Sequence, residues 1–89
     1  MYTRTTTIIN ETGLHARPAS DFTRKAAAFD SEITVCRLGE DRLANAKSTV
    51  HILTLGLNQG VEIEISAEGD DEQAAVDTLV AMVQSGFAE

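Results

Sequence analysis

Residues 13–20 (GLHARPAS) hold the side chains of this sequence best suited to chemistry. They fall where a polar loop, residues 10–13, meets the start of a helical stripe of apolar residues. Backbone N–H groups in the first turn of a helix lack intrahelical partners, and with the helix dipole they make an anion site. A histidine at this point, His15, can present its ring beside the N–H groups of Ala16 and Arg17. The Arg17 side chain adds a permanent cation whose several donors suit phosphate oxygens. Pro18 is tolerated in a first turn, where its missing N–H costs no helical bond, and it restricts the backbone of Arg17.

An imidazole has an ordinary pKa of ~6.5, so a substantial neutral, nucleophilic fraction exists at cell pH. A phosphorylated imidazole remains a good phosphoryl donor, so the group can be relayed through a covalent intermediate. A positive helix end disfavours a cationic ring and stabilises an attached phosphate. The same residues also fit a plain helix start, and physics alone divides evenly between the two readings. The sequence has no Walker A motif, and His51 and Cys36 lack metal-ligand spacing, so neither metal nor cofactor is expected.

The elements that must position these residues follow from periodicity. Residues 2–9 (YTRTTTII) are β-branched and predict a first strand. Ala19, Phe22, Ala26 and Phe29 fall at helical spacing within residues 16–29, with Arg24 and Lys25 off that stripe. Residues 32–38 predict a second strand, 42–44 a short third, and 48–55 a short helix closed by Gly56. The strict alternation of residues 61–67 (VEIEISA) predicts a strand with one buried face and a wet Glu62/Glu64 face. Asp70 and Gln73 have capping-box spacing for a last helix, striped by Val76, Leu79, Val80 and Val83 and ended by Gly86. The order is βαββαβα, a two-layer α+β domain occupying residues 1–89 as one unit.

Fourteen acidic residues against seven basic ones give a net charge of -7. That opposes binding to nucleic acid or to an anionic membrane and favours a protein partner. A single cysteine, Cys36, excludes an intramolecular disulfide and suits a reduced strand residue. The threonine-rich start has no signal-peptide core and no run can span a membrane, so a soluble cytoplasmic protein without membrane insertion is expected.

The 13–20 segment resembles, at every position, the active-site motif of the HPr family. These are the histidine-containing phosphocarriers of the bacterial phosphoenolpyruvate:sugar phosphotransferase system. The likeness runs through residues 31–35 (SEITV), 46–48 (AKS), 54–60 (TLGLNQG) and 65–73 (ISAEGDDEQ), which look enterobacterial in type. It implies an open-faced β-sandwich, a four-stranded antiparallel sheet with three helices on one side. It implies phosphorylation of His15 on Nδ1 by enzyme I, with Arg17 holding the phosphoryl group, and delivery to IIA domains of sugar permeases. The chain would then be a monomeric transfer intermediate rather than a stand-alone enzyme.

The resemblance also places a docking face on Ser20, Arg24, Thr49, Val50 and Leu53. The spread of Val50, Ile52, Leu53, Leu55 and Leu57 agrees, being too wide for one buried stripe, although Leu55 and Leu57 also suit the core. Ser48 aligns with a second phosphorylation position, used by an HPr kinase in Gram-positive relatives, and equally suits a helix cap. Departures from the family pattern bear on partner choice. Thr49 replaces a usually apolar residue, Val50 is small for its site, and His51 stands where glycine or lysine is usual. The loop over residues 39–45 is about two residues longer than in close relatives. Two alternatives therefore stand beside a general sugar-system carrier. One is a paralogue for a fructose, nitrogen-regulatory or dihydroxyacetone-kinase branch; the other is a regulatory module signalling through Ser48.

Overall fold

The computed structural model describes residues 1–88, and its sheet is built around the strand with the strictest alternation. In β4 (Glu62–Glu68), Ile63, Ile65 and Ala67 are buried on one face, while Glu62, Glu64 and Ser66 line the other. This strand is flanked by β1 (Tyr2–Thr7) and β2 (Glu32–Arg37), both antiparallel, and β3 (Ala44–Asn45) completes the order β1-β4-β2-β3. Register follows the apolar pattern on the β2 side, where Ile65 faces Val35, while on the β1 side it faces Arg4. Three helices, α1 (Ala16–Ala27), α2 (Thr49–Leu53) and α3 (Glu72–Gln84), cover one side of this sheet. The predicted α+β architecture and its four-stranded antiparallel sheet are therefore present.

The core lies between the layers. Ala19, Phe22 and Ala26 of α1 and Val76, Leu79, Val80 and Val83 of α3 are fully buried there, as their spacing predicts. β1 is too rich in threonine to be held by packing alone. Its Tyr2 hydroxyl and Arg4 guanidinium both donate to Asp77 Oδ1 of α3, at 2.9 and 3.0 Å. On the open face Cys36 lies beside Glu64, its strand partner. Burial first, then that carboxylate, pushes the thiol pKa up, which keeps it protonated.

Element ends differ from the sequence reading for local reasons. β1 stops at Thr7 rather than Ile9, because its partner chain turns at Asn58–Val61, leaving Ile9 exposed. α1 ends at Ala27 rather than Phe29, closing through tight bonds from Ala28 and Phe29 to the carbonyls of Lys25 and Ala26. The short third strand is Ala44–Asn45 rather than 42–44; Arg42 and Leu43 stay outside the ladder and exposed. α2 ends at Leu53, before Leu55 and Gly56.

The start of α3 corrects the capping-box expectation. Asp70 is exposed, and the helix begins at Glu72. Glu72 Oε1 accepts from the N–H of Gly69, whose carbonyl accepts from the N–H of Glu72. Asp71 precedes the helix, but its carboxylate points elsewhere. It accepts from the N–H groups of Asp30 and Ser31, at 2.8 and 2.9 Å, and from the Ser31 hydroxyl, tying the α1–β2 turn to α3.

These hydrogen bonds, that from Ser31 Oγ foremost, hold the Asp71 carboxyl below its usual range. A lowered folded pKa stabilises the fold above the unfolded carboxylate pKa, and the contribution is lost as pH falls through the folded value. Asp71→Asn should therefore lower Tm at pH 7. Thermal melts from pH 7 to pH 2 check this: the gap between variant and parent should narrow as pH falls, and a gap independent of pH would contradict it.

Candidate functional site

The motif's position depends on a backbone clasp between residues 13–14 and residues 57–58. The N–H of Leu14 donates to the carbonyl of Leu57 at 2.8 Å, and Leu14 and Leu57 are both completely buried. Gly13, at φ 72°, lies against the same carbonyl and against Asn58. The Asn10 side chain braces the loop by donating to the carbonyl of Gly13 at 2.8 Å. Each clasped leucine is followed by a polar side chain, His15 in one segment and Asn58 in the other.

These two side chains meet, although 43 residues apart: His15 Nε2 lies 2.8 Å from Asn58 Oδ1. A carbonyl oxygen only accepts, so Nε2 carries the proton and donates it. In a neutral ring the lone pair is then on Nδ1. Nothing in the spacing of the sequence pointed to Asn58, because the contact exists only once the clasp has formed.

His15 is the N-cap of α1, with extended backbone and no side-chain capping bond. Its carbonyl starts the helix by accepting from Ala19. The N–H groups of Ala16 and Arg17 precede that first helical bond and lack an intrahelical acceptor. Ala16 has φ 51°, a left-handed conformation that costs a non-glycine residue about 1 kcal/mol or more. Arg17 is exposed and borders a shallow hollow shared with Pro18, Asp21, Phe87 and Ala88. His15 and Arg17 thus both stand at the start of α1, His15 as its N-cap and Arg17 in its first turn.

The residues expected on a docking face lie on neighbouring parts of α1 and α2. Val50 and Leu53 are exposed, at 72% and 42%, whereas Ile52, Leu55 and Leu57 are buried. Arg24 reaches Ser20 Oγ at 3.4 Å along α1. Thr49 is joined to α1 by a hydroxyl contact of 2.9 Å with Thr23, a residue the sequence did not single out. Ser48 caps α2: its Oγ accepts from the N–H of His51 at 3.3 Å. His51 Nδ1 in turn accepts from the N–H of Asn45, linking α2 to the edge strand. Among the described residues, no three acidic, His or Cys side chains gather to hold a metal ion. Among the same residues, no helix is long and apolar enough to cross a membrane.

Comparison with known proteins identifies this arrangement. Residues 2–85 match the family model described as the PTS HPr component phosphorylation site. The phosphocarrier protein HPr of Haemophilus influenzae is 49% identical over 83 residues, covering 93% of this chain and 95% of that protein. A crystal structure of HPr from Thermoanaerobacter tengcongensis superposes with a TM-score of 0.94 at 45% identity, covering 100% of this chain and 98% of the other. A structure of an HPr dimer from the same organism gives a TM-score of 0.76 at 46% identity, with both chains fully covered. With its fold, its helix-start histidine and these likenesses in agreement, the chain belongs to the HPr family of phosphocarrier proteins.

Proposed function

We propose that enzyme I passes a phosphoryl group to Nδ1 of His15 and that a IIA domain of a sugar permease takes it from there. The observation that carries this reading is the bond from His15 Nε2 to Asn58, which leaves the lone pair on Nδ1 at the head of α1. The N–H groups of Ala16 and Arg17 receive the phosphate oxygens, and the Arg17 guanidinium offsets their charge. Residues 1–89 act as one monomeric cytoplasmic carrier, a transfer intermediate and not an enzyme with a substrate of its own. Incubation with phosphoenolpyruvate and enzyme I should place one acid-labile, base-stable phosphate on the chain. An acid-stable phosphate, or none, would overturn the reading.

Both partners dock on Ser20, Arg24, Thr49, Val50 and Leu53, around the exposed apolar side chains of α2. Val50→Glu puts a charge at the centre of that face and should slow transfer from enzyme I about 10-fold, with the circular dichroism spectrum unchanged. Equal rates would remove Val50 from the interface. A specialised branch of the system is the second reading, favoured by the Thr49–Thr23 hydroxyl pair on the docking face. Faster exchange with a nitrogen- or fructose-branch partner than with a general enzyme I would select it. The carrier step uses no atom of Ser48, whose hydroxyl caps α2 by accepting from His51.

A further inference from the structure

We propose that Asn58 is a positioning residue for the transfer, holding the Nε2 proton of His15 so that phosphate enters and leaves Nδ1 without any proton changing place. The proposal rests on the reading of His15 as the phosphoryl acceptor. Its own observation is the 2.8 Å contact between Nε2 and Asn58 Oδ1. The contact is fixed from both sides by backbone. The Asn58 N–H donates to the carbonyl of Gly56 at 3.0 Å, its carbonyl accepts from Val61 at 3.1 Å, and the Leu14–Leu57 bond brings the two segments together. Neither side chain has to find the other from a flexible stem.

In the inward step the Nδ1 lone pair forms the N–P bond, and the bond from phosphorus to the donor breaks, its electron pair staying with the donor. The ring then carries one positive charge, with the proton still on Nε2. The Asn58 carbonyl stabilises that charged ring by accepting its only N–H. In the outward step a lone pair on the acceptor attacks phosphorus, the N–P pair returns to Nδ1, and neutral imidazole with its Nε2 proton is regenerated. A ring that had lost the Nε2 proton would leave as an anion, a much poorer leaving group.

Among the described residues, few charged groups belong to the segments that meet at the ring. Arg17 and Asp21 lie on α1 and Glu11 in the loop before it, and none forms an ion pair with His15 among the described residues. The segment carrying Asn58, residues 54–61, has no charged residue, and neither do residues 84–88. Arg17 disfavours a positive ring, so a neutral acceptor on Nε2 is the group that opposes it.

The experiment follows the Nε2 proton of the phosphorylated ring by 15N and 31P resonance as pH is raised. Asn58→Ala should lower the pH at which that proton leaves by about half a unit. Its transfer to a IIA domain should fall about threefold above that pH and little below it. Asn58→Asp, a charged acceptor at the same place, should move the midpoint upward instead. Amide spectra confirm that each variant is folded. An unchanged midpoint in both folded variants, in a parent chain that labels normally on Nδ1, overturns the role of Asn58 alone. A parent chain with no label on His15 overturns the acceptor reading and this one with it.

Discussion

His15→Ala, incubated with phosphoenolpyruvate and enzyme I, should take up phosphate at least about 10³-fold more slowly than the parent chain, while Ser48→Ala labels normally. The expected loss is large because the substitution removes the nucleophile and leaves every other part of the site in place. His15 is only half-buried, and its side chain gives up one exposed hydrogen bond, to Asn58. The clasp beneath it uses the backbone of Leu14 and Leu57 and does not involve the imidazole. A folded but unlabelled variant is therefore the expected product, with circular dichroism as the check. The other histidine offers no substitute: His51 is on a five-residue helix and its Nδ1 accepts from Asn45. Ser48→Ala removes a helix cap, a stability loss of about 1 kcal/mol that leaves the carrier site untouched. Label that persists in His15→Ala would place the acceptor elsewhere.

The parts of this molecule that sequence made legible are those governed by periodicity within one element. Ile63, Ile65 and Ala67 alternate because β4 is buried on one face, and Ala19, Phe22 and Ala26 recur because α1 buries one stripe. The place of His15 and Arg17 at a helix start was legible for a related reason, since where a helix begins depends on a few adjacent residues. Competition between sites was not legible. Asp71 has the chemistry of a helix cap, yet three donors from residues 30 and 31 claim its carboxylate. Whether Leu53 or Leu55 faces inward was undecided by spacing, because a five-residue helix followed by a turn has no single stripe. Asn58 was hidden most completely. Its partner lies in a different segment, and an Asn-containing turn carries no trace of what its side chain will meet.

That clasp gives the largest stability prediction. Gly13→Ala should destabilise the chain by roughly 3 kcal/mol, a fall in Tm of about 10–20 °C for a domain of this size. Two costs add. At φ 72° an alanine is held in the left-handed region, at about 1 kcal/mol. Its Cβ would also lie 2.6 Å from the carbonyl oxygen of Leu57 and 3.0 Å from Asn58 Cα, both backbone atoms. Neither atom can withdraw cheaply, because that oxygen accepts the Leu14 N–H and the Leu57 side chain is locked in the core. Gly60→Ala separates the two costs. Gly60 has φ 90° with open space where a Cβ would stand, so its variant bears the backbone cost alone. Thermal melts of the pair should differ by about 2 kcal/mol, the worth of the close approach; equal losses would mean that Gly13 is needed only for its dihedral. Because the clasp also carries His15 to Asn58, the Gly13 variant should accept phosphate more slowly even at temperatures where it is fully folded. The Gly60 variant should not.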